Sequence, residues 1–426
     1  MSHPAAGAVV DDARARWGPD AVRVARATET VGKTPVVAVL QPPTRESVAA
    51  MLAWAKERRL TVVPRGGGSK LEWGAPPTSA DLILSLARLT EPIEHRAGDL
   101  TVTVPAGAQL VDVNAQLAQA GQWLPLDPLA GGRCTIGGLV ATNDSGPRRL
   151  RHGTPRDLII GIEMALPDGG LAKAGGRVVK NVAGYDLARL LTGSYGALAV
   201  ITAATFKLAP VPAASCTVAV GAAGLREMSA LAQAIAASPL TPSAIEIDHP
   251  SPRLLVRFES TASAAGLQAD QLRDLCARHG ATATILSGSL ESEAWSTCGA
   301  ATPDVADALL KLSVLPTDLE DVLSVVGREA QERSLAWKVF GRATLGVLFC
   351  RLGGSPGQIA GLGLKLRAAV ASRSGRVVLL AASPEVKAAV SPWGDTTSAG
   401  RVMRAVKAQF DPLGMLCPGG GPGGVA

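Results

Sequence analysis

Residues 64–70 read PRGGGSK, with three consecutive glycines between Arg65 and Ser69. A glycine fixed inside an ordered element costs about 0.5–1 kcal/mol relative to alanine, so a run of three asks for a reason. A plain surface turn is one. The other is a loop whose backbone N–H groups wrap an anion such as a phosphate, for which absent Cβ atoms allow close approach. A second cluster, CTIGGLVATNDSG at 134–146, follows roughly seventy residues later and adds short polar side chains. Two such loops in one domain fit a ligand with two parts to hold, such as a diphosphate and a flat ring. No G-x-G-x-x-G opens a helix after a first strand, so the order is not Rossmann-like. GGGSK also lacks the G-x-x-x-x-G-K-[ST] spacing of a P-loop.

The remaining chemistry-bearing residues are dispersed. Six cysteines form no C-x-x-C pair, which argues against iron–sulfur and structural zinc sites and for a reducing compartment. Five histidines stand alone, and an isolated histidine is more often a surface or satisfied core residue than a base. His152 lies nearest the second cluster. The densest polar group is KNVAGYDL, residues 180–187, which reads structurally as a helix start with Tyr185 packed by its ring and Asp186 capping.

The elements that must position these residues alternate. TRESVAAMLAWAKERRL carries Val48, Met51, Leu52 and Ala55 on one helical face, with Thr44 as its N-cap. The strand TVV (61–63) feeds the glycine run, DLILSL (81–86) and TVTVPAG (101–107) are further strands, and a helix over 109–120 ends at Gly121. From Trp123 to Gly153 no regular element is expected, a length of loop that is usually functional. The strands DLIIGIEMAL and LAVITAATFKL complete this half, and the proline-rich APVPAA (209–214) marks a boundary.

Beyond the boundary the order is βαββαβ twice. In the first copy strands near 217–220, 243–249, 253–260 and 281–286 frame helices near 223–236 and 263–279. The second copy, from Leu309 to Ala381, has helices near 317–331 and 356–372. Each copy reads as a ferredoxin-like split βαβ, and two side by side make one wide antiparallel sheet. With 426 residues, 18% charged and 47% apolar, the chain is globular and large enough for two or three cores. A net charge of +6 without a dense basic cluster, and 3% aromatics, argue against nucleic acid as a partner. The opening MSHPAAGAVVDDARARWG turns acidic before any long apolar run, and no stretch approaches about 20 apolar residues. The expected location is the cytoplasm, with at most peripheral association at the inner face of the membrane.

VVPRGGGSKLEWG, LPLDP, TIGGLVATNDSG, RHGTPRDLIIGIEMALPDG and GGRVVKNVAGYDLARLLTGSYGALAVITAATFKL, in this order, resemble the FAD-binding fold of the vanillyl-alcohol-oxidase class, also called PCMH-type. More narrowly they resemble the smaller FAD-binding subunit of bacterial glycolate oxidase. The resemblance covers residues 30–212 strongly and RAVKAQFDPLGMLCPGG near the C-terminus weakly. It implies an α+β chain: a PCMH-type FAD-binding domain over 30–212, then a ferredoxin-like-repeat α+β domain over 213–426.

By that resemblance Arg65, Gly66, Gly67, Gly68 and Ser69 form the loop around the FAD diphosphate. Asp127, Thr135, Gly137, Gly138, Asn143, Ser145 and Gly146 follow the flavin toward its phosphates, and Ile201 holds the adenine end. Ser69 stands where some relatives carry a histidine bonded to the flavin, so FAD is expected to bind non-covalently. Lys180, Asn181 and Tyr185 are placed at the flavin edge, with Lys180 stabilising charge on the reduced ring. The family's C-terminal asparagine–proline–glycine–arginine is here Cys417-Pro418-Gly419-Gly420, without the asparagine and the arginine. No H-x-G-D-G-N-x-H metal motif of the related catalytic subunit is present.

The function so implied is oxidation of glycolate, a small 2-hydroxy acid, to glyoxylate within a complex. Its other members would be a larger FAD-linked glycolate oxidase subunit and an iron–sulfur subunit that accepts the electrons. Two rivals stand beside it: an assembly subunit without turnover of its own, and a stand-alone FAD-linked dehydrogenase of another hydroxy substrate.

Overall fold

The computed structural model describes residues 6–424 except 33, 130, 132, 177–183, 252 and 395–396. The chain forms two units. One comprises Met1–Gly146, Gly153–Val211 and Asp395–Ala426; the other comprises Pro147–His152 and Pro212–Gly394.

In the first unit a four-stranded sheet runs in the order Val22–Val24, Ala38–Leu40, Leu82–Ser85, Val62–Arg65. The last three strands are parallel, so a crossover must join them. The helix Arg45–Glu57 supplies it and buries Val48, Met51, Leu52, Trp54 and Ala55. Thr44 caps this helix as its sequence predicts, in a capping box with Ser47. A five-stranded antiparallel sheet follows, in the order Leu171–Gly175, Ile159–Ala165, Val200–Lys207, Thr101–Pro105, Glu94–Arg96. One core joins both sheets through residues such as Leu40, Leu84, Val104, Ile136, Met164 and Phe206.

The second unit contains an eight-stranded antiparallel sheet. Its order is Thr282–Leu286, Ala214–Gly221, Arg253–Ser260, Ala244–His249, Ala336–Arg342, Val347–Gly353, Ala308–Ser313, Arg376–Ala382. Numbered within each copy this is 4-1-3-2 followed by 2-3-1-4, so the two ferredoxin-like copies meet at their second strands, Ile247 opposite Gly341. The sheet expected from the sequence is therefore present. Helices Leu225–Ala237, Ala262–Arg278, Leu319–Glu332 and Pro356–Ala371 bury Leu231, Ile235, Leu272, Val326 and Leu366 against it. Each such side chain contributes about 1.5–3 kcal/mol on burial.

Three expectations need correction. The first domain does not start at residue 30: the strand Val22–Val24 pairs with Ala38–Leu40, and the helix Ala6–Trp17 contributes Val9, Val10 and Ala13 to the core. The second does not run to 426, because the chain from Asp395 belongs to the first unit, where Leu416 forms a parallel bridge with Val62. Nor is Trp123–Gly153 without regular structure. It holds the helices Ile136–Thr142 and Arg149–His152, the first capped by Thr135 and the second in the second unit. Arg148 secures that excursion through the carboxylate of Glu259 at 2.7 Å, and Leu150 packs on the second core. Among the described residues no helix is long and apolar enough to cross a membrane.

Candidate functional site

The strand Val62–Arg65 ends directly in the glycine run, and the run passes the capped end of helix Ile136–Thr142. A Cβ on Gly66 would lie 2.0 Å from Thr135 Oγ1, so only glycine lets the two segments touch. The two glycine clusters are thus one site. Gly68 has φ +80°, a left-handed conformation that side chains disfavour. Together they line an open cleft.

The clusters do different work. Among the described residues the N–H groups of Gly67, Gly68 and Ser69 donate to no protein acceptor. The second cluster spends its donors internally: Ile136 N donates to Ala108 O at 2.9 Å, Gly137 N to Ala106 O at 2.8 Å and Gly138 N to Thr135 Oγ1 at 3.4 Å. Gly137 is there for packing, since its Cβ would sit 2.8 Å from that of Ala106. An anion in this cleft would find its backbone donors on the first loop.

Charged groups support that loop. Arg65 Nη1 lies 3.2 Å from Glu29, whose carboxylate is held by Arg23 at 2.5 Å. The hydrogen bonds from Arg23 outweigh burial and keep Glu29 well below the usual carboxylate range. Lys70 lines the cleft with its side chain only 5% exposed, facing Asp144, 2% exposed, at 3.1 Å. That separation is an ion pair, but the geometry is not that of a hydrogen bond, so the buried Nζ donates to nothing among the described residues. A buried ammonium with unused donors, beside unused amides, fits an anionic group.

The rest of the lining is small or apolar: Val31, Val63, Leu71, Trp73, Ala106 and Ile201, with Cys134, Tyr195 and Cys417. Such walls suit a flat ring. Burial pushes the Cys417 thiol up to about 12, and burial with Asp144 raises the Tyr195 phenol well above its ordinary range. Neither is a reactive base or nucleophile in this state. Tyr195 has φ +56°, uncommon for a bulky residue, and its N–H donates to Ala141 O at 2.8 Å.

Of the residues expected from the sequence, Arg65, Gly66, Gly67, Gly68, Ser69, Thr135, Gly137, Gly138 and Ile201 line the cleft. Asp127, Asn143, Ser145 and Gly146 do not. The Asp127 carbonyl would be 1.7 Å from a Cβ on Gly146, so those two hold a chain crossing, while Asn143 ends helix Ile136–Thr142 at φ +48°. Ser145 is buried. Lys180 and Asn181 lie outside the described residues. Tyr185 is 92% exposed and absent from the lining, while Asp186 caps the helix Leu187–Leu191. His152 sits in the second unit, where burial lowers its pKa against the charge of Glu259. Sequence reasoning missed Lys70, Tyr195, Gly196, Cys417 and Gly420, all of which line the cleft.

Residues 36–175 match the family described as FAD binding domain. Glycolate oxidase subunit GlcD of Bacillus subtilis is 37% identical over 175 residues, which are 41% of this chain and 37% of that protein. D-lactate dehydrogenase of Archaeoglobus fulgidus is 40% identical over 172 residues, 40% of this chain and 38% of that one. The chain thus spans less than two-fifths of the length of these relatives. The solved structure of 4-ethylphenol oxidase from Gulosibacter chungangensis superposes with a TM-score of 0.77, covering 98% of this chain and 97% of that one. At 14% identity that likeness is one of fold.

Proposed function

We propose that this chain binds one FAD non-covalently and is the flavoprotein subunit of a complex that oxidises a small 2-hydroxy acid, glycolate first and D-lactate second. The observation that carries the FAD assignment is the pairing of unused amides at Gly67–Ser69 with the unsatisfied buried ammonium of Lys70 in one cleft. Two similar proteins, named for glycolate and D-lactate, support the substrate class. When bound, FAD supplies an acceptor for the two electrons and the hydrogen of the substrate's CH–OH group.

This chain's residues bind and shield. The amides and Lys70 would meet the diphosphate, while Val63, Trp73 and Ile201 supply apolar walls that would keep water from the cofactor. Ser69 occupies the position of the covalent histidine of some relatives and has no ring nitrogen to bond with, hence the dissociable cofactor. Acid precipitation of the purified chain is expected to release yellow flavin into the supernatant; colour that stays in the pellet would contradict non-covalent binding.

The lining contains no histidine, aspartate or glutamate among the described residues, and these hold no cluster of three or more His, Cys, Asp or Glu able to bind a metal. That favours a subunit working with partners, a larger FAD-linked subunit and an iron–sulfur subunit, in the cytoplasm or at the inner face of the membrane. A well-placed base is worth about 10²–10⁴ in rate. Anaerobic glycolate should therefore bleach the flavin of the lone chain slowly or not at all, and that of the assembled complex promptly. Equal rates would point to a self-sufficient dehydrogenase; loss of flavin reduction in both would leave an assembly role.

A further inference from the structure

The C-terminal segment returns to the first unit and is held there by one buried ion pair. Lys407, on the helix Thr397–Phe410, and Asp411, just past its end, lie 2.6 Å apart with side chains 1% and 0% exposed. Lys407 Nζ donates also to Ala197 O and Leu416 O, each at 2.8 Å, so its three donors are all used. Asp411 in turn accepts from Leu416 N at 2.7 Å and Met415 N at 3.1 Å.

The neighbours of these carbonyls matter. Ala197 follows Gly196 and Leu416 precedes Cys417, and both Gly196 and Cys417 line the cleft. One ammonium thus joins the bases of two cleft walls, one of them 210 residues from Lys407 in sequence. The tail has other ties. Val62 N donates to Met415 O at 2.8 Å and Cys417 N to Val62 O at 3.1 Å, beside the strand that enters the glycine loop. Thr78 N donates to Pro418 O at 2.7 Å.

We propose that Lys407 is a positioning residue for the cofactor: it fixes Met415–Gly420 as a wall of the cleft, so that FAD affinity depends on a side chain that does not line the cleft. The role presupposes that the cleft holds FAD, as proposed for this unit. Methionine at 407 keeps the length of the stem but has no donor, which frees the Ala197 and Leu416 carbonyls and loosens both walls.

Fluorescence titration of the full chain with FAD should give a dissociation constant about tenfold or more weaker in Lys407→Met than in wild type. Alkylation of Cys417, followed by peptide mapping well below the melting temperature, should be faster in the variant and slowed by FAD in the wild type. Hydrogen exchange on the wild-type chain, which needs no variant to fold, should show amides of 414–420 slowed by added FAD. A folded Lys407→Met chain with wild-type FAD affinity overturns the proposal, and so does unchanged exchange at 414–420 in wild-type chain that binds FAD. Failure of the wild type to bind FAD at all would instead overturn the cofactor assignment.

Discussion

Gly67→Asp should abolish flavin retention while Gly67→Ala keeps it. The backbone at this position can accept a side chain: an added Cβ would lie 3.5 Å from Arg133 O and 3.7 Å from Thr135 Cγ2, ordinary contact distances. A loss that alanine does not share is therefore due to the carboxylate beyond the Cβ, and its charge is the large term. A carboxylate about 4 Å from a phosphate is repelled by about 4 kcal/mol at an effective dielectric of 20, or roughly three decades of affinity. Gly66→Ala would not separate the causes, since its Cβ would strike the capping hydroxyl of Thr135 at 2.0 Å. Flavin absorbance per chain after gel filtration is the measurement, with circular dichroism confirming that the second unit is folded. Wild-type flavin content in the aspartate variant would remove this loop from the cofactor site.

How much of this was legible beforehand depended on the range of the contacts. The glycine loop, the Thr44 cap and the doubled βαββαβ order are written in neighbouring residues, and each is present. The helix Ile136–Thr142 was hidden because two glycines lower its propensity; packing of Gly137 on Ala106 compensates. Lys70 stood in plain view within PRGGGSK, but a lysine beside a glycine run reads as solvated. Only Asp144, far along the chain, draws it into the interior. The same holds for the tail: CPGG lacks the asparagine and the arginine of the pattern it resembles, and nothing local marks it as part of a site. Its place on the cleft comes from Val62, Thr78 and Lys407, none of which a local pattern connects to it. The excursion Pro147–His152 into the second unit likewise rests on Arg148 meeting Glu259, a pairing of side chains 111 residues apart.

Asp144→Ala should be among the most destabilising single changes in the first unit, and it can also decide what Lys70 is for. Removing one partner of a buried ion pair strands the other charge, at a cost of about 3–5 kcal/mol. In a domain of 150–250 residues each kcal/mol lowers the melting temperature by about 2–4 °C, so a fall of roughly 6–20 °C is expected. Asp144 has some independent support, since its Oδ1 accepts from Leu129 N at 3.3 Å, but Lys70 keeps only the Trp73 ring, 5.7 Å from its ammonium, once Asp144 is gone. The double variant Lys70→Met with Asp144→Leu removes both charges and should recover most of the stability, because apolar replacement of a buried pair is often close to neutral. Flavin affinity should not recover with it. A charge-assisted hydrogen bond is worth about 1.5–3 kcal/mol, so the stable double variant should hold FAD roughly 10- to 150-fold more weakly than wild type. If it held FAD as tightly as wild type, Lys70 would be a structural cation that happens to border the cleft, and the diphosphate would be held by the loop amides alone.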